Sequence, residues 1–161
     1  MEQQMLKDKV AVITGASYGM GRTMAELFAE EGAAVVITAR HQDQLDEVVE
    51  GIRAKGGKAV GVVADVCSTE DTKKVFDTAL KEFGDVDILI NNAGISGPTA
   101  LVVENREGRK EYTPEDFSKV LATNLTGTFM FCQEAARQMI KQNATNGKKG
   151  GQIIITASVG G

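Results

Sequence analysis

The sequence is poor in cysteine, and it lacks both a basic block and a long apolar run. Cys67 and Cys132 stand in no metal-binding or redox spacing, so we predict two reduced core thiols and no metal site. The net charge of −4 comes from interspersed acidic and basic residues, which argues against nucleic acid and membrane surfaces as partners. No apolar stretch could span a bilayer, and residues 1–9 are too polar for a secretory signal. These absences predict a cytoplasmic protein.

What the chain does contain is an alternation of short apolar segments with amphipathic ones. Its 161 residues, of which 42% are apolar, suffice for one domain with a sizeable core. The apolar segments predict five strands: Val10–Ile13, Ala33–Thr38, Ala59–Ala64, Ile88–Ile90 and Ile153–Thr156. Strands that are apolar throughout are typical of a parallel sheet covered by helices on both faces. We therefore predict an α/β fold.

The segments between these strands predict helices and loops. The first helix is expected to bury one face, formed by Met20, Met24, Leu27 and Phe28. Ser68 has the features of a helix cap, and Thr113 followed by Pro114 predicts the start of a helix that reaches about Gln142. Residues 96–112 are predicted as a polar loop, and residues 143–151 as a turn-rich connector.

A glycine-rich turn, residues 14–21, follows the first strand and opens the first helix. Its spacing is Gly15-x-x-x-Gly19-x-Gly21, one residue longer than the commoner G-x-G-x-x-G. Glycine lets a backbone approach phosphate groups, and the helix N-terminus offers free N–H groups to an anion. The turn therefore predicts a site for a dinucleotide pyrophosphate.

The end of the second strand bears on which dinucleotide binds. NAD-binding folds usually carry an acidic residue here, about 20 residues past the glycines, for the ribose 2′-hydroxyl. Positions 38–41 hold no acid, and Arg40 is followed by His41. A guanidinium pairs with a 2′-phosphate, which a carboxylate would repel. The plainer alternative is an arginine solvated at a strand end, but we predict NADP rather than NAD.

Three further polar segments follow strands three, four and five. They are Asp65-Val66, Asn91-Asn92-Ala93-Gly94 and a segment that contains Ser158. Alone, each has an ordinary explanation as a turn acid, a loop or a helix cap. Together they lie at the edge where open parallel sheets bind ligands. Asn124 is a polar residue inside the long predicted helix, where it indicates either an exposed turn or a local irregularity with a purpose.

These residues resemble the short-chain dehydrogenases/reductases over residues 9–161, and most closely the 3-oxoacyl carrier-protein reductases. The resemblance implies a Rossmann-type doubly wound sheet of strand order 3-2-1-4-5. It implies that Asn124 and Ser158 are catalytic, with the serine on the substrate oxygen. It implies a cofactor site formed by Gly15, Ser17, Tyr18, Gly19, Met20, Gly21, Arg40, Asp65, Val66, Asn92, Ala93 and Gly94.

One motif of that family has no counterpart in these residues. Family members carry Tyr-x-x-x-Lys shortly after the serine, in which the lysine lowers the pKa of the tyrosine that serves as acid and base. The tyrosines here are Tyr18 and Tyr112, which are followed four positions on by Arg22 and Asp116. We therefore expect the chain to be incomplete at its C-terminal side, inactive as given, and left with a bare strand at the sheet edge.

The resemblance, together with Arg40, implies an NADP-dependent oxidoreductase that exchanges a hydride with a small carbonyl or secondary alcohol. The alternative is a dinucleotide-binding module without catalysis. A flavodoxin-type protein is a third possibility, which the asparagine signature at residues 91–94 disfavours. The long helix is apolar beyond one narrow stripe, and family members associate through it, so a homodimer or homotetramer is expected.

Overall fold

The computed structural model describes residues 4–97, 100–105, 108–147 and 150–158. Its central sheet is formed by β1 (Val10–Thr14), β2 (Ala34–Ala39), β3 (Lys58–Val63), β4 (Ile88–Asn91) and β7 (Gln152–Ile155). These five strands are parallel and lie in the order β3-β2-β1-β4-β7. Since β7 is the fifth strand predicted from the sequence, the expected doubly wound order is confirmed.

Helices cover both faces of this sheet. They are α1 (Gly19–Glu30), α2 (Gln42–Ala54), α3 (Thr69–Phe83), α4 (Pro114–Leu121) and α5 (Thr128–Asn146). Side chains of α1 and α2 share one apolar cluster with Val35 and Ile37, while α3 and α5 share the other with Val12 and Val36. Because adjacent residues of a strand point to opposite faces, β2 is buried on both sides, as its apolar sequence requires.

The helix caps predicted from the sequence are present. The Ser68 hydroxyl accepts a hydrogen bond from the Asp71 backbone N–H, and Gly84 ends α3 in the left-handed conformation. Thr113 and Asp116 form a reciprocal capping box at the start of α4. These contacts satisfy backbone groups that the helix itself leaves unpaired.

The buried face predicted for α1 is wrong. Gly21, Ala25 and Ala29 form that face, while Met20 and Leu27 are exposed. Met24 and Phe28 are only partly buried against the core. Small residues at a spacing of four bring the helix axis close to the sheet, and larger side chains flank the contact.

Three other expectations also need correction. The predicted polar loop contains an antiparallel hairpin, β5 (Val102–Asn105) and β6 (Gly108–Glu111), outside the main sheet. Its described side chains are exposed, so it lacks the apolar alternation of a half-buried strand. The predicted connector begins inside α5, which continues to Asn146. Both cysteines are free, but Cys67 is exposed rather than part of the core.

The long predicted helix is interrupted by a π-helical segment, Ala122–Gly127, between α4 and α5. Each such turn is wider than an α-turn, and π segments are frequent at functional sites. The irregularity suggested by Asn124 therefore exists, and Asn124 lies within it. No helix in the described residues is long and apolar enough to cross a membrane.

Gln142 joins α5 to the segment just before β4. Its buried amide accepts a hydrogen bond from the Val86 N–H at 2.8 Å and donates one to the Val86 carbonyl at 3.0 Å. We expect Gln142→Leu to lower the free energy of unfolding by about 2–4 kcal/mol, because two buried backbone groups lose their partner. Urea denaturation would measure this, with the exposed Gln133→Leu as control. Equal midpoints for the two variants would contradict the assignment.

Candidate active site

A cavity of about 470 Å³ lies at the edge of the sheet where the parallel strands end. The register aligns Thr14 of β1 with Thr38 of β2 and Val62 of β3, so the loops that follow these strands meet there. Eight predicted cofactor residues line the cavity: Gly15, Ser17, Tyr18, Arg40, Asp65, Val66, Ala93 and Gly94. Four do not: Gly19, Met20, Gly21 and Asn92.

The glycine turn packs directly on the loop that follows β4. Gly15 has a φ of +64°, and a Cβ built on it would lie 2.8 Å from the Ala93 Cα. Both the conformation and the approach therefore require glycine here. A Cβ on Gly21 would lie 2.6 Å from the Asn92 Nδ2. Gly21 and Asn92 thus belong to the layer beneath the cavity, where they hold the turn against the β4 loop.

Thr14 and Asn92 join the same two loops by hydrogen bonds. The Thr14 hydroxyl accepts from the backbone N–H groups of Asn92 and Ala93, both at 3.0 Å. In return the Asn92 amide donates to the carbonyls of Thr14 at 3.2 Å and Gly15 at 3.1 Å. Thr14 was not among the predicted site residues. Its position directly before Gly15 was a signal in the sequence, but its partners are 78 and 79 residues away.

Two helices begin at the cavity without a side-chain cap. Tyr18 precedes α1 and His41 precedes α2, and neither side chain accepts a hydrogen bond from the helix. Both residues line the cavity. The first N–H groups of α1 and the positive end of its dipole are therefore available to an anion. The first turn of α1 contains no acidic residue that would compete for this position.

The charged side chains of the cavity are mostly basic. Arg40 and Lys119 line it together with a single carboxylate, Asp65. Within residues 4–97, 100–105, 108–147 and 150–158, neither basic side chain is found in an ion pair. Since the whole chain has a net charge of −4, this concentration of positive charge is local. It favours an anionic ligand at this wall.

The turn after β3 is fixed by its own hydrogen bonds. The Asp65 backbone N–H donates to the Asp71 carboxylate at 2.8 Å, and the Cys67 N–H donates to the Asp65 carboxylate at 2.9 Å. The Asp65 carbonyl also accepts from the Ser68 N–H at 2.9 Å. The turn therefore presents Asp65 and Val66 to the cavity in one conformation.

Asn91 does not line the cavity, and its contacts join the sheet to α5. It is buried, and its amide donates to the Thr128 carbonyl at 3.4 Å and to the Cys132 sulfur at 3.2 Å. Burial raises the pKa of the Cys132 thiol, and the hydrogen bond from Asn91 opposes that shift. Asn91 thus ties the end of β4 to the first turns of α5.

Asn124 lies in the π segment and makes two hydrogen bonds to the loop that follows β4. Its Oδ1 accepts from the Ile95 N–H, and its Nδ2 donates to the Ile95 carbonyl, both at 2.9 Å. The residue is exposed, but its side chain is hydrogen-bonded to the backbone of a residue 29 positions away.

Ser158 is exposed and lies three residues beyond the end of β7. The last paired residues of β4 and β7 are Asn91 and Ile155. Neither Asn124 nor Ser158 lines the cavity itself.

Several residues that sequence reasoning missed also line the cavity. They are Thr38, Ala39, Gln44, Ala64, Cys67, Ile95, Lys119, Ala122 and Thr123. Lys119, Ala122 and Thr123 belong to α4 and the π segment, and only the folded chain brings them into the same cavity as Arg40. Among the described residues, no group of three or more His, Cys, Asp or Glu side chains could hold a metal ion.

Comparison with known proteins agrees with this geometry. The family model for short chain dehydrogenases matches residues 9–161. Glucose 1-dehydrogenase 2 of Bacillus subtilis (strain 168) is 39% identical over 140 residues, which cover 86% of this chain and 51% of the relative. The chain thus spans about half the length of this relative.

Two solved structures share the fold. A short-chain type dehydrogenase/reductase from Mycobacterium marinum is 38% identical with a TM-score of 0.83, covering 98% of this chain and 58% of that one. A 7α-hydroxysteroid dehydrogenase in complex with NADH and 7-oxo glycochenodeoxycholic acid is 32% identical, also with a TM-score of 0.83, covering 97% and 55%. The chain belongs to the short-chain dehydrogenase family.

Proposed function

We propose that this chain forms the NADP-binding domain of an oxidoreductase that exchanges a hydride with a small carbonyl or secondary alcohol. The observation that carries the choice of NADP is Arg40, which lines the cavity at the end of β2 where NAD-binding folds usually carry an acid. A guanidinium offers two parallel N–H donors to a phosphate. The second basic side chain, Lys119, adds to the positive charge of the same cavity.

The remaining cofactor contacts are proposed from the resemblance to the family. The pyrophosphate lies at the uncapped start of α1, held by the turn that contains Gly15, Ser17, Tyr18, Gly19, Met20 and Gly21. Gly19 supports a cradle for phosphate groups, because its φ is +57° and a Cβ on it would meet nothing within 4 Å, which leaves the space beside the turn open. Asp65 and Val66 hold the adenine. Ala93 and Gly94 hold the inner ribose, and Asn92 supports their loop from the layer beneath through its hydrogen bonds to the Thr14 and Gly15 carbonyls.

The bound nicotinamide supplies the hydride chemistry, and the chain positions the substrate and the proton path beside it. Ser158 donates a hydrogen bond to the substrate oxygen and stabilises the negative charge that develops there. Asn124 holds a water on the proton path, and its double hydrogen bond to Ile95 fixes the π segment for this role. Both lie on loops or segments that border the carboxyl edge of the sheet.

A dinucleotide-binding module without catalysis is the second candidate. It is favoured by one observation, namely that neither Tyr18 nor Tyr112 is followed by lysine four positions on. A phenol with its ordinary pKa near 10 is a poor base at neutral pH without a nearby cation. Incubation with ketones and NADPH deuterated at C4 separates the two. Deuterium on the alcohol carbon supports the enzyme, and binding without transfer supports the module.

Ser158→Ala tests the catalytic assignment in a form of the protein with measurable turnover. We expect kcat to fall at least tenfold, because the substrate oxygen loses a hydrogen bond of about 1.5 kcal/mol. The Kd for NADPH, measured by its fluorescence, should change by less than about twofold. Ser118→Ala on exposed α4 is the control. Unchanged turnover in the Ser158 variant would exclude the role.

We propose a homodimer or homotetramer formed through α4, the π segment and α5. Their exposed apolar side chains recur every four residues at Phe117, Leu121, Leu125 and Phe129. Such a stripe is larger than the isolated apolar side chains usual on a monomer.

The cytoplasmic location and the assignment of residues 1–161 to a single domain stay predictions of the sequence. Small molecules remain the proposed substrates, and neither nucleic acid nor membrane is a proposed partner.

A further inference from the structure

Gly127 lies at the end of the π segment, and its backbone does not require glycine. Its φ of −61° and ψ of −46° are ordinary helical values that any residue adopts. Glycine destabilises a helix interior relative to alanine. A glycine that is buried in a helical run therefore needs another reason, and the space around it provides one.

The turn after β3 occupies the position of the missing side chain. A Cβ on Gly127 would lie 2.9 Å from the Val66 carbonyl oxygen and 3.0 Å from the Val66 Cγ2. The same turn contacts the π segment once more, through Cys67 Sγ and Thr123 Oγ1 at 3.6 Å. The hydrogen bonds of Asp65 hold this turn together. A displacement of the Val66 carbonyl away from the π segment would therefore move the rest of the turn with it.

A second contact of the π segment is made with the β4 loop. Asn124 makes its two hydrogen bonds to Ile95 there, and a Cβ on Gly94 would lie 3.4 Å from the Asn124 Oδ1. Asn91 donates to the Thr128 carbonyl, one residue after Gly127. The six-residue π segment is thus in contact with both the turn after β3 and the β4 loop.

We propose that Gly127 is a positioning residue that couples the Asp65–Val66 turn to Asn124. Its missing side chain sets how closely the turn approaches the π segment, and the π segment in turn sets where Asn124 meets Ile95. This inference rests on two parts of the proposed function, namely that the turn binds adenine and that Asn124 lies on the proton path. When adenine is bound at the turn, one position of the Asn124 side chain is favoured.

Gly127→Ala tests this coupling, with Gly51→Ala as the matched control. Gly51 lies on the exposed side of α2, and a Cβ on it would meet nothing within 4 Å. A purely local effect of helix propensity would raise the Tm in both variants, by about 2–4 °C. We expect that increase for Gly51→Ala alone. For Gly127→Ala we expect no increase, and a Kd for 2′,5′-ADP at least fivefold weaker.

NMR of the Asn124 side-chain amide reports the coupling directly. The response of its resonance to a bound ligand in wild-type protein would not arise if Gly127 had a purely structural role. In ligand-free protein, Gly127→Ala should shift the Asn124 resonance and Gly51→Ala should not. In wild-type protein, saturating 2′,5′-ADP should shift it as well, and this arm does not depend on whether the variant folds. An Asn124 resonance unmoved by bound 2′,5′-ADP overturns the proposal while the proposed function stands.

Failure of the proposed function has a different signature. If neither NADPH nor 2′,5′-ADP binds the wild-type protein, the cofactor assignment is wrong. The ligand-free comparison still decides the positioning role, because a Gly127→Ala variant with an unshifted Asn124 resonance and a raised Tm would overturn it.

Discussion

Replacing Arg40 with aspartate is expected to reverse the preference between NADPH and NADH. The change removes the cation that we assign to the 2′-phosphate and places a carboxylate at the same wall of the cavity. Loss of one partner of a charged hydrogen-bonded pair costs about 3 kcal/mol, which corresponds to a Kd for NADPH about a hundredfold weaker. NADH should bind the variant more tightly than NADPH, because the carboxylate accepts hydrogen bonds from the ribose hydroxyls.

The control must separate this contact from a general change of charge. Lys141→Asp alters the net charge by the same two units on the exposed side of α5, away from the cavity. We expect it to leave the ratio of the two dissociation constants unchanged. The titrations are best done at low and moderate salt, since exposed charge effects weaken with ionic strength. A variant that keeps the wild-type ratio would show that Arg40 does not contact the cofactor.

Gly15→Val is expected to abolish measurable NADPH binding. A β-branched residue at a φ of +64° is strained, at a cost of about 1–2 kcal/mol or more. The new Cβ would also lie 2.8 Å from the Ala93 Cα, which is backbone and cannot rotate away. The turn must therefore lift from the β4 loop, and the hydrogen bond from Asn92 to the Gly15 carbonyl is lost with it.

Gly56→Val separates the strain from the contact. Gly56 also has a positive φ of +85°, but a Cβ on it meets nothing within 4 Å, and it lies in the turn between α2 and β3. Both variants should lose stability in urea, whereas only Gly15→Val should lose NADPH binding. If Gly15→Val binds NADPH with the wild-type Kd, the turn is not the pyrophosphate site.

The parts of the fold predicted from the sequence are those that depend on local chemistry. Apolar runs predict the parallel strands, although the edge strand β7 is exposed. Ser68 and Thr113 are caps because their partners lie three residues away. The hairpin of β5 and β6 was missed because it faces solvent and carries no apolar alternation. The buried face of α1 was missed because periodicity does not tell how closely a helix approaches the sheet.

The candidate site divides in the same way. The glycine turn and Arg40 could be found because their chemistry is visible in adjacent residues. The bonds between Thr14 and Asn92 could not, since 78 residues separate them and no local pattern specifies the pairing. Asn124 was recognised as an irregularity in a helix, but its partner Ile95 emerges only from the fold. The same holds for Lys119, an ordinary helix-surface lysine until the cavity forms.

In the proposed function, the cavity at the carboxyl edge of the sheet binds NADP(H) through Arg40. The most direct measurement is a calorimetric titration of the wild-type protein with NADPH and, separately, with NADH. We expect one site per chain and a Kd for NADPH at least tenfold lower than that for NADH, a difference of about 1.4 kcal/mol. Equal or tighter binding of NADH, or no binding of either nucleotide, would contradict this proposal.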